Sequence, residues 1–440
     1  MTVHTLPDLG PVNELRVPST VERTLPNGLT VLAIRRASVP LVEVRLRVPF
    51  ARTELASSSV LTQTLFSGTA TKSTVDIAAA LQSVGGALSA GADPDRLLVS
   101  GNALVTGLDR LLDIMADVLT GATYPGDEVE TERARLADRI RVARSQPAHL
   151  ARVALLRRIY GEHPYAVQTP AADDVLAVDR EALVALHAQR LQPTGGTLVL
   201  VGDIDPETAI GAAERALKGW AGESEQVDLP PAPPLESGPL TLVDRADAVQ
   251  SSLRMCLPAV PRTHADHAAL QLANLIFGGY FSSRWVENIR EDKGYTYGPH
   301  SMIEHSVAGS ALTVSAEVAT GVTAPAMLET IYELGRLATL PPKPDELEQA
   351  RQYALGTLQL GMSTQSGLAG LASTYAGFGL RLDYLAEHAA RLAAATVDDV
   401  AAAAAKYLAP AGAVAVVLGD ASKIEDSLAT LGPLVRATVS

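Results

Sequence analysis

The clearest periodic signal in the chain is an alternation. In LVEVRLRVP, residues 41–49, Val42, Val44, Leu46 and Val48 alternate with Glu43, Arg45 and Arg47. That period of two predicts a half-buried β-strand. Upstream, Pro26-Asn27-Gly28 forms a turn, and the apolar run 29–34 predicts another strand. The pattern then turns helical. A helix is expected over 57–65, and a second starts at Ser73 or Thr74 and ends before Gly85-Gly86. Over 106–119, Leu108, Leu111, Leu112, Met115 and Leu119 form an i, i+3, i+4, i+7 stripe. Residues 129–144 read as a charged helix stopped by Pro147, and TLVLVGD, 197–203, as a closing buried strand.

Residues 226–239, QVDLPPAPPLESGP, hold five prolines and predict an extended linker near mid-chain. A weak repeat flanks it. The strand phrase Arg45-Leu-Arg-Val-Pro49 returns 209 residues later as Arg254-Met-Cys-Leu-Pro258. Thr197-Leu-Val-Leu-Val-Gly-Asp203 returns 217 residues later as Val414-Ala-Val-Val-Leu-Gly-Asp420. The economical reading is two similar α+β domains, 20–225 and 240–435, packed face to face.

Composition narrows the function classes. Hydrophobic residues are 47% and charged residues 19%, which excludes a disordered chain. Only 5 Phe, 2 Trp and 11 Tyr are present, so the cores are aliphatic and no base-stacking platform is expected. The net charge of −13 argues against nucleic acid or an anionic membrane as partner. The single cysteine, Cys256, excludes an intrachain disulfide and any multi-cysteine metal site. The first 20 residues lack the plan of a signal peptide, and no apolar run reaches the length of a membrane span. A cytoplasmic protein is expected.

Several phrases, in order from about residue 22 to 430, resemble the pitrilysin family. These are the zinc peptidases that include insulin-degrading enzyme and mitochondrial processing peptidase. PNGLTVLAIRR from Pro26 is similar to the family's opening strand, and Leu65-Phe-Ser-Gly-Thr69 resembles the LFxGT after its metal helix. Gly161-Glu-His-Pro-Tyr165 and LVLVGDID from Leu198 resemble the middle of its catalytic half. Gly278-Gly-Tyr-Phe-Ser-Ser-Arg284 and Arg290-Glu-Asp-Lys-Gly-Tyr-Thr-Tyr297 resemble the GGxxxSR and RExxGxxY of its second half. The resemblance implies a half-clam of two homologous α+β domains, each an antiparallel sheet packed with helices.

The chain departs from the family at the metal. The family's H-x-x-E-H places two His on one helix face to bind zinc, with Glu as general base. The corresponding positions here are Ser59-Val60-Leu61-Thr62-Gln63. Aligned on Pro147, the family's third ligand falls on Arg139, with Asp138 beside it; a one-residue slip would turn Asp138 inward instead. Hydroxyl and amide oxygens are poor substitutes for imidazole at zinc, and a guanidinium stays charged. The expectation is therefore no metal and no cofactor in this chain.

Other histidines read as structural. His300-Ser-Met-Ile-Glu304-His305 has one residue too many for a zinc motif and lies in an expected strand, 296–305. His264 and His267 are expected on the surface of a helix N-terminus, and His163 in a turn. No G-x-S-x-G elbow, Ser-His-Asp order or phosphate-binding loop occurs.

What the resemblance preserves is the other half of the family's active site, an Arg and a Tyr that reach the substrate. They correspond to Arg290 and Tyr297. An Arg fork suits peptide carbonyls or carboxylates, and a Tyr hydroxyl can donate to an oxyanion. The plainer alternative pairs Arg290 with Glu287 or Glu291 and leaves Tyr297 at a strand edge. Loss of the metal half alone implies the substrate-binding, non-zinc subunit of a heterodimeric metallopeptidase, inactive by itself. Zinc would lie in a homologous partner subunit, and the substrate would be a peptide such as a leader peptide. The alternative is a silent pseudo-peptidase serving as a scaffold or assembly subunit; a standalone hydrolase with an unrecognised site is a weaker third.

Overall fold

The computed structural model describes residues 15–223, 227 and 229–438. Most of the N-terminal segment and the start of the proline-rich stretch lie outside the described residues. Two six-stranded sheets carry the chain. The first contains β1 (Thr20–Thr24), β2 (Thr30–Arg35), β3 (Leu41–Pro49), β4 (Ala87–Ala92), β5 (Arg96–Leu104) and β6 (Thr197–Gly202), in the order β1-β2-β6-β3-β5-β4. The second contains β7 (Leu240–Asp244), β8 (Gln250–Pro258), β9 (His300–Ser306), β10 (Gly309–Ala319), β11 (Val414–Gly419) and β12 (Leu434–Ala437), in the order β12-β7-β11-β8-β10-β9.

The repeat is visible in the pairing register. Arg45 stands opposite Val199 between β3 and β6, and Arg254 stands opposite Val416 between β8 and β11. Val416 is the repeat mate of Val199, so both markers return in the same register. The two arginines also act alike. Arg45 Nη1 donates to the Val44 and Gly101 carbonyls, and Arg254 Nη1 to the Leu253 and Ala316 carbonyls.

The sheets are mixed rather than antiparallel, which corrects the sequence expectation. β6 runs parallel to β2, and β11 parallel to β7. The returning strand enters between two earlier strands after a long helical crossover, and only such a crossover allows a parallel pair.

The helices α1 (Leu55–Thr64), α2 (Thr74–Ser83), α3 (Leu108–Gly121) and α4 (Gly126–Ser145) follow the sequence reading closely, and a helix it did not include, α5 (Pro147–Tyr160), comes next. α2 is held by a capping box of Ser73 and Asp76. Pro147 ends α4 and also opens α5 as its first residue, where its missing N–H costs nothing.

The two halves exchange a helix. α5, from the first half, packs on β8 and β11, placing Leu155, Leu156 and Ile159 against Val243, Cys256 and Val416. Reciprocally, the helix Gln365–Ala376 packs on β3 and β6, placing Leu368, Ala369 and Ala372 against Ile34, Val199 and Val201. This overturns the half-buried reading of β3. Glu43 and Arg47, on its polar side, are 7% and 9% exposed. Glu43 pairs with Arg45, and Arg47 Nη2 donates to the Gly377 carbonyl at 3.3 Å. Burial pushes the Arg47 guanidinium down to about 10.

Candidate functional site

α1 starts on a carboxylate cap: Glu54 Oε1 accepts from the Ala56 amide and Oε2 from the Ser57 amide. Its apolar face, Ala56, Val60, Leu61, is buried. Ser59 and Gln63, at i and i+4, share another face, and Gln63 is exposed. α4 packs beside α1. Arg139 Nη2 donates to Gln63 Oε1 at 3.0 Å, while Asp138 Oδ1 accepts from Arg141 on its own helix at 2.9 Å. Arg139, not Asp138, therefore meets α1.

These residues do not fit the zinc that the fold family implies. The three positions hold a hydroxyl, an amide and a permanent cation, and the amide oxygen is already taken by the cation. Among the described residues no three His, Cys, Asp or Glu side chains cluster as a metal site.

The second group sits beside the other sheet. Gly278 and Gly279 allow tight packing: a Cβ at Gly278 would lie 2.8 Å from the Trp285 ring, and one at Gly279 2.8 Å from Asn274. Arg284 forks onto Glu346 with two 2.7 Å bonds. Burial would raise the Glu346 carboxyl, but this fork and the Lys343 amide hold it below its usual value. A π-helical turn, Glu287–Asp292, carries Arg290 outward, and π turns concentrate at functional sites. Gly294 then reverses the chain at φ +63.

Arg290 and Tyr297 are brought together. The Arg290 guanidinium lies 5.1 Å from the Tyr297 ring centre and 4.3 Å from that of Phe281. Tyr297 is 86% and Phe281 57% exposed. Arg290 Nε also pairs with Glu291 at 3.2 Å, a surface pair of small energetic weight. An open cavity of about 750 Å³ runs past Arg290, Tyr297, Gln250 and Glu317. Phe281 was quoted in its motif but not singled out. The signal that could have found it is its rarity: an aromatic among polar residues in a chain with 5 Phe.

His163, His264, His267, His300 and His305 sit in structural surroundings, with corrections. β9 begins at His300, so 296–299 are not strand. His267 is buried, not on the surface, at 2% exposure. Its Nε2 lies 3.2 Å from His305 Nε2, and its ring 5.0 Å from that of His388. Burial first, then neighbouring rings and Arg262, lowers His267 to about 2. His264 is exposed, and His163 accepts from the Tyr165 amide in its turn.

Two family models match the chain: "Insulinase (Peptidase family M16)" over residues 58–172 and "Peptidase M16 inactive domain" over 177–353. An uncharacterized zinc protease of Mycobacterium leprae is 28% identical over 308 residues, 67% of this chain and 68% of the relative. One from Streptomyces coelicolor is 24% identical over 434 residues, 93% of each. A peptidase M16 inactive domain from Pseudomonas fluorescens superposes with a TM-score of 0.84 at 22% identity, covering 91% of this chain and 98% of that one. A protease from Helicobacter pylori gives 0.83 at 19%, covering 92% and 100%. With the two models spanning most of the chain and the fold shared along its length, the chain belongs to peptidase family M16, the insulinase or pitrilysin family.

Proposed function

We propose that this chain is the substrate-binding, non-zinc subunit of a heterodimeric M16 metallopeptidase. One contrast carries the reading. At the metal position Arg139 is bonded to Gln63, while a half-buried Arg290 and an exposed Tyr297 line an open cavity. A homologous partner subunit would supply the metal. This chain would bind and orient an extended peptide, with the Arg290 fork on its carbonyls and the Tyr297 hydroxyl donating to the carbonyl under attack. β4 stands at the edge of the first sheet next to α1, and its Ala, Ser and Gly side chains leave room for strand addition. Peptides, leader peptides among them, are the substrate class of this reading.

The test is reconstitution. Purified alone, the chain is expected to hydrolyse no peptide. Mixed with an H-x-x-E-H homologue from the same cell, it forms a one-to-one complex that cleaves, and Arg290→Ala or Tyr297→Phe cuts the rate. Cleavage by the single chain, or full rates in both variants, would refute the reading. A tight complex that cleaves nothing would indicate a scaffold instead.

A further inference from the structure

A cavity of about 340 Å³ opens between α5 and residues 166–169. Leu150, Val153 and Leu156 give it an apolar wall. Arg144, Arg152, Arg157 and His149 line it as well, with no Asp or Glu among its lining residues. The three arginines together run against a net charge of −13.

Three further observations bear on this cavity. His149 Nε2 is shielded from solvent and has no hydrogen-bond partner, and a buried unpaired ring nitrogen is costly. Burial, then the charges of Arg144 and Arg152, hold the His149 ring below its usual pKa, so positive potential converges there. His149 and Leu150 lie in the first turn of α5, whose N-cap Gln146 makes no side-chain cap. The positive end of the helix dipole is thus left unanswered. Arg152 has partners, Glu304 and Gln168, but each at a long 3.3 Å and on the surface.

We propose that this cavity binds an aliphatic carboxylate, with the apolar wall holding the hydrocarbon and Arg144, Arg152 and His149 holding the carboxylate. The volume is near the lower end of the range of about 300–1,000 Å³ for small-molecule sites. The same chemistry is offered by a free acyl carboxylate and by the C-terminal residue of a peptide ending in Leu. Arg144 stands on α4 five residues beyond Arg139, roughly 7.5 Å along the axis. The site shares no residue with the lost metal position, and it does not depend on the peptidase reading.

Calorimetric titration of the full chain tests this with four probes: octanoate, N-acetyl-Ala-Leu, and their neutral counterparts 1-octanol and N-acetyl-Ala-Leu amide. At least one carboxylate is expected to bind saturably at one site, roughly tenfold or more tighter than its neutral counterpart. Arg144→Ala/Arg152→Ala is expected to lose binding by a similar factor. Val153→Phe, which fills the wall without touching charge, loses it too and decides the matter should the double variant fail to fold. Octanoate binding alone identifies an acyl ligand, and peptide-acid binding alone a peptide terminus; either supports the site. No saturable carboxylate binding, equal binding of the neutral probes, or unchanged affinity in Val153→Phe overturns it.

Discussion

Arg139 Nη2 donates to Gln63 Oε1 at 3.0 Å, joining across α1 and α4 two positions that the family devotes to zinc ligands. The pair has a consequence for any attempt to rebuild the metal site. Two unit charges 4 Å apart interact by about 4 kcal/mol at an effective dielectric of 20, and a divalent ion doubles the term. Ser59→His/Gln63→His is therefore expected to hold no stoichiometric zinc while Arg139 remains. Adding Arg139→Glu turns repulsion into attraction and should bring zinc to one per chain, measured by elemental analysis after dialysis.

Phe281 and Tyr297 both lie against the Arg290 guanidinium, Phe281 the nearer of the two. A cation–π contact at an exposed site is worth about 0.5–1 kcal/mol. In the reconstituted complex, Phe281→Ala should raise KM roughly two- to fivefold with a smaller effect on kcat. Phe281→Tyr should restore it, and steady-state kinetics on a fixed peptide reads both.

The cluster of His267, His305 and His388 should make the fold acid-labile. Burial, with neighbouring cationic side chains, lowers the three to about 2, 3 and 4. The unfolded rings titrate near 6.5. Below that pH the unfolded chain takes up protons that the folded chain refuses, so stability is full above about 6.5 and falls as pH drops toward 4. The loss is on the order of 1–2 kcal/mol per buried ring at pH 5. Urea unfolding from pH 7 to 4.5 should show this slope, and it should be shallower in His388→Gln.

Gly202 closes the first copy of the repeat where β6 passes β3. A Cβ there would lie 2.4 Å from the Leu41 carbonyl oxygen and 2.8 Å from Val42 Cα. Backbone atoms cannot step aside as a side-chain tip can. Gly202→Ala is expected to cost on the order of 1–3 kcal/mol, read from the shift of the urea midpoint at unchanged slope.

Local patterns were legible where neighbours in sequence decide the outcome. The strand over 41–49, the helix start at Ser73 or Thr74, the stripe from Leu108 to Leu119 and the repeat of Arg45 as Arg254 all appear. The resemblance to the family aligned Gln63 and Arg139 with one lost site, and they touch.

What residues in distant segments decide was not legible. Glu43 and Arg47 alternate as a solvent face would, yet the helix Gln365–Ala376, far along the chain, covers them. His267 carries the pattern of an exposed helix start, yet His305 and His388 arrive from β9 and the helix Tyr384–Ala394 to bury it. By itself the sequence determined the two-fold repeat, the helices and strands, and the absence of zinc ligands from the motif, because each is a matter of residue type at fixed spacing. The tertiary structure alone decided the exchange of helices between halves, the parallel pairs within each sheet, and the grouping of Phe281 with Arg290 and Tyr297. Those depend on which surfaces meet, and burial between distant segments leaves no period in the chain.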